Sequence, residues 1–178
     1  AKSSDDARYD FKILKAVMNV NEIQKHVLVE KIVSYYGNDL SGKKIALWGL
    51  AFKANTDDIR EASSLDNIKL LKEKGAEIVA YDAIAEENVR RVLGDTISYA
   101  SDMYSALEGA DCLLIATEWS EFKNPNFKIM AEKQKNKVIF DFDDSIWLLD
   151  TSPENKKFEF LKNPNKTKIN IAHAHRVI

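Results

Sequence analysis

Apolar positions along the chain recur first at helical spacing and then in a regular alternation of strand-like and helix-like runs. Residues 7–36, ARYDFKILKAVMNVNEIQKHVLVEKIVSYY, contain neither glycine nor proline. Leu14, Val17, Asn21, Gln24, Leu28 and Ile32 share one helical face, with Val20, Ile23 and Val27 beside them. Asp5 or Asp6 can cap the start of this helix and Gly37 its end. At ~1.5 Å per residue it would be about 45 Å long, more than a small domain needs. An apolar stripe of that length ahead of the first strand suggests a connector or a dimerisation element. Asn21 and Gln24 interrupt the stripe, either as register-fixing polar residues in a seam or as partly solvated side chains.

Beyond Gly37 the pattern alternates. Strands are predicted at 43–49 (KKIALWG), 76–82 (AEIVAYD), 96–100 (TISYA), 111–119 (DCLLIATEW) and 137–142 (KVIFDF). Helices are predicted between them at 63–75, 84–93, 101–110 and 125–134. In the first of these Leu65, Ile68 and Leu71 face inward and Gly75 closes the C-terminus. Ser101 or Asp102 is positioned to cap the third. Nearly continuous apolar strands separated by helices mean a parallel sheet covered on both faces. The predicted fold is therefore α/β: a Rossmann-like, mostly parallel sheet with helices on both faces, preceded by a long N-terminal helix. Three parts are expected: the connecting helix at 1–38, the α/β domain at 39–150 and an irregular, nonperiodic tail at 151–178.

Composition narrows the setting. The 178 residues are 45% hydrophobic and 30% charged, with a formal net charge of −2. Such a balance argues against a dominant nucleic-acid or anionic-membrane surface, and no apolar run approaches the ~18 residues of a membrane span. A chain of this size can bury roughly 70% of its unfolded surface without disulfides. The single cysteine, Cys112, lies in the apolar run DCLLIAT and reads as a small core residue in a reducing, cytoplasmic setting. The chain starts at Ala1 and enters the helical pattern almost at once, which reads as a piece of something longer.

Candidate chemistry gathers in WGLAFKANTDDIR, residues 48–60. Ligands of open parallel sheets lie at the carboxyl ends of the strands, and this stretch follows the first strand. Gly49 permits a tight turn or a close approach, but the further glycines of a dinucleotide-binding turn are missing. Lys53 puts an ammonium on a long stem, for which phosphate is a natural partner. Arg60 adds a fork suited to carboxylate or phosphate. Asp57 and Asp58 are expected to neutralise part of this charge and hold both cations in position. Ser63 or Ser64 is expected to cap the next helix. Spacing alone leaves a ligand site and a salt-bridged loop equally open.

The stretch GLAFKANTDDIREASS resembles the signature of the C-terminal domain of the UDP-glucose/GDP-mannose dehydrogenase family. AVMNVNEIQKHVLVEKI is similar to the end of that family's long central helix, GAEIVAYDAIA to its second strand and LLIATEWSEF to its Thr-Glu-Trp segment. The resemblance covers residues 8–142. It implies a role in oxidising the C6 alcohol of a nucleotide sugar to a carboxylate in two NAD-dependent steps. It further implies that Phe52 and Lys53 contact a UDP-sugar and that Arg60 reaches across the cleft towards NAD. The long helix itself, rather than the resemblance, suggests a homodimer. The family's catalytic cysteine precedes the central helix, so Cys112 is not cast as the nucleophile, and this stretch of chain is expected to be inactive alone. Asp143 stands where many members have a ligand-touching arginine, and no ligand role is assigned there. Trp119 reads as packed under a loop, with stacking on uracil as the alternative.

Two other readings compete. VIFDFDDSIW invites a phosphatase motif with Asp141 as nucleophile and Asp143 as general acid beside Mg²⁺, although that motif belongs on a first strand with a domain behind it. The other is a non-catalytic module in which the helix dimerises and the α/β unit is scaffold. His173 and His175, without further partners, do not make a metal site.

Overall fold

The computed structural model of the chain describes residues 11–135, 138–141 and 176–177. Helix α1 runs Lys12–Tyr36 and ends at Gly37. Strand β1, Lys44–Trp48, leads through a long turn to α2, Ser63–Glu73. Next come β2 (Glu77–Tyr81), α3 (Glu86–Leu93), β3 (Ser98–Tyr99) and a 3₁₀ turn at Ser105–Leu107. Strand β4 (Cys112–Ile115) precedes α4 (Ser120–Lys123) and α5 (Phe127–Lys133). Strands β5 (Val138–Asp141) and β6 (Arg176–Val177) complete the sheet among the described residues. The strand order is β3-β2-β1-β4-β5-β6, and every neighbouring pair is parallel. That order is the one dinucleotide-binding sheets use.

Strand residues alternate between two cores, as a period of two requires. Ile45, Leu47, Ile78, Ala80, Cys112 and Leu114 cluster with residues of α1, α2 and α3. Ala46, Trp48, Val79 and Leu113 cluster with Met103, Leu107, Trp119, Phe122 and Met130 on the opposite face. Trp48 stacks on Phe122 at 5.2 Å between ring centroids, and its indole N–H donates to the Met103 carbonyl at 2.7 Å.

Only the C-terminal half of α1 joins the core. Leu28, Val29 and Ile32 are buried, whereas Phe11, Ile13, Leu14, Val17, Met18, Val20 and Ile23 are exposed. Asn21 and Gln24 are exposed too. Polar contacts fix the docked half. The Tyr36 hydroxyl donates to the Asp111 carbonyl at 2.8 Å, and the Lys25 ammonium meets Glu22 at 3.0 Å, Glu61 at 3.1 Å and Asp66 at 3.7 Å.

Three expectations change. The helix predicted at 101–110 is only a 3₁₀ turn. Its cap position falls on Tyr104, and Asp102, two residues ahead, accepts from the Tyr104 and Ser105 amides. The Met103 carbonyl, which a continuing α-helix would offer to Leu107, is taken by Trp48, and the Leu107 amide turns to Tyr104 instead. The strand predicted at 111–119 stops at Ile115, because Thr117 turns beneath Gly49, and the short helix α4 follows. Gly75 closes α2 as expected: its N–H reaches the Lys72 carbonyl and the Ala76 N–H reaches Leu71. Within the expected tail, Arg176–Val177 pairs with β5. Asp5, Asp6, Asp143, His173 and His175 lie outside the described residues. Among those described, no helix is long and apolar enough to cross a membrane.

Ile32 is fully buried and Ile13 is 83% exposed on the same helix. In urea unfolding, Ile32→Ala is expected to cost roughly 2–5 kcal/mol, and Ile13→Ala no more than about 0.5 kcal/mol. Equal costs would contradict the half-docked helix.

Candidate functional site

The site is built on the turn that leaves β1. Gly49 has φ +93°, and a Cβ there would lie 2.5 Å from Thr117 Cβ and 2.7 Å from its backbone nitrogen. Only glycine allows both the backbone conformation and this close approach. The next two residues surrender all their backbone polar groups to neighbouring elements. The Leu50 and Ala51 amides donate to Asp82 Oδ2 at 2.7 and 3.1 Å. The Leu50 carbonyl accepts from the Ser64 hydroxyl at 2.6 Å, and the Ala51 carbonyl from the Thr117 hydroxyl at 2.8 Å.

Asp82, at the carboxyl end of β2, is 4% exposed. The Trp119 indole N–H also donates to its Oδ2, at 3.1 Å. Its other oxygen accepts the Ile84 and Ala85 amides at 2.9 and 2.8 Å, at the entry to α3. A carboxylate taken from water is costly unless hydrogen bonds replace its solvent, and here N–H groups from three elements do so. Trp119 is thus packed and bonded inward, in agreement with the packed reading.

Beyond Ala51 the chain turns outward. The Phe52 amide donates to the Asp58 carbonyl at 2.8 Å, closing a small loop. Asn55 has φ +62°, a conformation its side chain tolerates, and Thr56 Oγ1 accepts the Asp58 amide at 3.1 Å. The Phe52 ring is 56% exposed. Lys53 is exposed, and its ammonium has no hydrogen bond or ion pair among the described residues. Arg60 is held by a two-toothed contact, Nε to Asp58 Oδ1 at 2.9 Å and Nη2 to Oδ2 at 2.7 Å. Hydrogen bonds from the Arg60 side chain and then from its backbone N–H hold the Asp58 carboxyl down to about 2.

Two expectations about this loop are corrected. Asp57 and Asp58 do not hold both cations. Asp58 engages Arg60, whose planar fork matches a carboxylate, while Asp57 accepts from the Asn88 amide group at 3.1 Å. Neither Ser63 nor Ser64 caps α2: the cap position falls on Ala62, and the Ser64 hydroxyl is committed to Leu50. Sequence reasoning also missed Asp82 and Thr117. The available signal was an acidic residue closing the second strand, the position from which a dinucleotide-binding unit reaches its ribose. Cys112 is fully buried, and burial, followed by the neighbouring Asp111 carboxylate, pushes its thiol up to about 12.

Comparison with known proteins bears on the family and the fold. A profile of the UDP-glucose/GDP-mannose dehydrogenase family, UDP binding domain, matches residues 46–146. The chain is 39% identical over 135 residues to the UDP-glucose 6-dehydrogenase TuaD of Bacillus subtilis, covering 76% of this chain and 29% of that protein. It is 34% identical over 145 residues to a UDP-glucose 6-dehydrogenase of Pseudomonas aeruginosa, covering 79% and 32%. The solved UDP-glucose dehydrogenase of Pyrobaculum islandicum superposes with a TM-score of 0.71 at 31% identity, covering 80% of this chain and 31% of that one. The chain therefore spans about three-tenths of the length of these relatives.

Two measurements check the site's electrostatics. The folded pKa of Asp58 lies below its unfolded value, so its contact with Arg60 stabilises fully above the ordinary carboxylate range and is lost as pH falls towards about 2. Carboxylate NMR is expected to place the midpoint near 2, rising to about 4 in Arg60→Ala; a native midpoint near ~4 would contradict the fork. Cys112 is expected to ignore an aromatic disulfide reagent at about pH 8 until the chain is unfolded, its ordinary thiol pKa being ~8.5. Prompt reaction of the folded protein would contradict its burial.

Proposed function

The chain belongs to the UDP-glucose/GDP-mannose dehydrogenase family, and on that premise we propose that it is the nucleotide-sugar-binding part of an NAD-dependent UDP-glucose 6-dehydrogenase, a cytoplasmic enzyme that converts UDP-glucose to UDP-glucuronate. The observation that carries this reading is the Lys53 ammonium. It is exposed at the carboxyl edge of the sheet, next in sequence to the exposed Phe52, with no hydrogen bond or ion pair among the described residues and only the longer-range pull of the Asp58 carboxylate. The neighbouring Arg60, by contrast, has its anion already. A cation with no contact ion pair at a strand end suits an anionic ligand, and a lysine meets phosphate as a point charge. Lys53 binds the UDP-sugar, and Phe52 packs against it.

NAD, when bound by the whole enzyme, supplies the hydride acceptor for both oxidation steps. The turn after β1 does not fit a dinucleotide's pyrophosphate: its Leu50 and Ala51 amides are occupied by Asp82, and Thr117 fills the space beside Gly49. The one residue of this loop assigned to NAD is Arg60, on the strength of the family likeness. Its Nε and Nη2 are engaged by Asp58, while Nη1 has no partner among the described residues. No thiol nucleophile is available here, since the one cysteine is buried with its proton held. The reacting groups belong to other parts of the enzyme, and the role of this chain is to bind and orient.

The exposed apolar half of α1, with Ile13, Val17 and Val20, supports a homodimer formed along that helix. The same face is what favours a second reading, a non-catalytic dimerisation module.

Titration of the ¹⁵N-labelled chain with UDP and UDP-glucose separates the two. Shifts are expected across Phe52–Arg60 with an affinity in roughly the millimolar range, because the contacts are few and the cleft is one-sided. Lys53→Ala is expected to weaken binding by about tenfold or more, the range for a lost charge-assisted hydrogen bond. An undisturbed Phe52–Arg60 segment, or unchanged binding by Lys53→Ala, would leave the dimerisation reading standing.

A further inference from the structure

The strand order, the glycine after β1 and the acid closing β2 are the parts of a dinucleotide site, yet they are assembled differently here. In a dinucleotide-binding unit the turn amides face the pyrophosphate, a bare glycine lets it approach, and the acid at the end of the second strand faces the ribose. In this chain the acid is turned inward, and its carboxylate accepts the very amides a pyrophosphate would use, those of Leu50 and Ala51. The approach beside Gly49 is filled by Thr117. Helix α2 starts only at Ser63, so its N-terminus does not follow the turn directly.

We propose that Asp82 is the positioning and specificity-setting residue of this site: its carboxylate serves as a built-in anion that closes the β1 turn to dinucleotides and thereby presents Phe52 and Lys53 to a nucleotide sugar. The second half of this inference rests on the reading under Proposed function; the first half does not. Two consecutive amides fixed on a buried acceptor determine where the next two side chains emerge. The same carboxylate holds the entry to α3, whose Asn88 reaches the Asp57 carbonyl at 2.9 Å on the far side of the ligand loop. Asp82 therefore governs both walls of the loop while touching no ligand itself.

The test is chemical replacement of the carboxylate. In Asp82→Ala, titration with formate or inorganic pyrophosphate is expected to move the Leu50 and Ala51 amide resonances saturably, whereas the native chain shows no response there. UDP binding is expected to weaken by about tenfold in the variant, the scale of a misplaced binding group, and saturating formate is expected to restore it. A generally destabilised protein would not be rescued in this way. Should Asp82→Ala fail to fold, Asp82→Asn keeps the shape but sets an amide donor against N–H donors. It is expected to show shifts centred on Leu50–Lys53 and Ile84–Ala85 and the same loss of UDP affinity. Leu50 and Ala51 amides that ignore formate in the alanine variant, or native UDP affinity in either variant, would overturn the proposal. If the native chain itself fails to bind UDP, the functional reading falls, and the formate response alone decides the role of Asp82.

Discussion

A buried carboxylate must find hydrogen bonds, and the way Asp82 finds them organises the ligand edge of this domain. Its donors come from the turn after β1, from the entry to α3 and from Trp119 beyond β4. Three segments distant in sequence are thereby fixed to one point. Losing one of these donors would weaken the satisfaction of a buried carboxylate, at a cost of about 1–3 kcal/mol, so the three segments are coupled through it. Thr117 and Ser64 complete the arrangement by taking the two carbonyls that Asp82 cannot.

Outside this closed turn the charges are arranged in the opposite way. Asp58 and Arg60 satisfy each other at the surface, and Lys53 makes no hydrogen bond or ion pair among the described residues, feeling Asp58 only at longer range. The far end of the loop is tied to α1. Glu61 adopts φ +57°, an uncommon conformation for a residue with a side chain, and its carboxylate rests on Lys25. Hydrogen bonds donated to Glu22 and then to Glu61 hold the Lys25 ammonium protonated well above the ordinary lysine range. The connecting helix and the ligand loop thus share an ion cluster, which makes the docked half of α1 part of the frame of the site.

Much of the architecture was legible because it rests on periodicity. The apolar runs 43–49 and 76–82 and the helical spacing of Leu65, Ile68 and Leu71 each have one physical solution, a covered parallel sheet. What escaped depends on contacts between distant residues. The run 101–110 has helical composition, but Trp48 takes the carbonyl that would continue it. Ser64 reads as a cap because serine commonly caps helices, yet its hydroxyl lies where it meets Leu50. Asp82 was passed over as the last residue of a strand, since a sequence does not say which way a carboxylate turns. Charge at a strand's carboxyl end singled out Lys53 and Arg60 and family likeness added Phe52, while the inward half of the site is visible only in three dimensions.

The amides of Leu50 and Ala51 are bonded to a carboxylate inside the fold. Native-state hydrogen exchange on the unaltered chain reads this directly. These two amides are expected to exchange as slowly as those of β1 and β4, on the order of hundreds of times or more below the rate of the exposed Lys53 amide, as core hydrogen bonds that open only with large-scale unfolding do. Exchange of Leu50 and Ala51 at the rate of the open loop would contradict it.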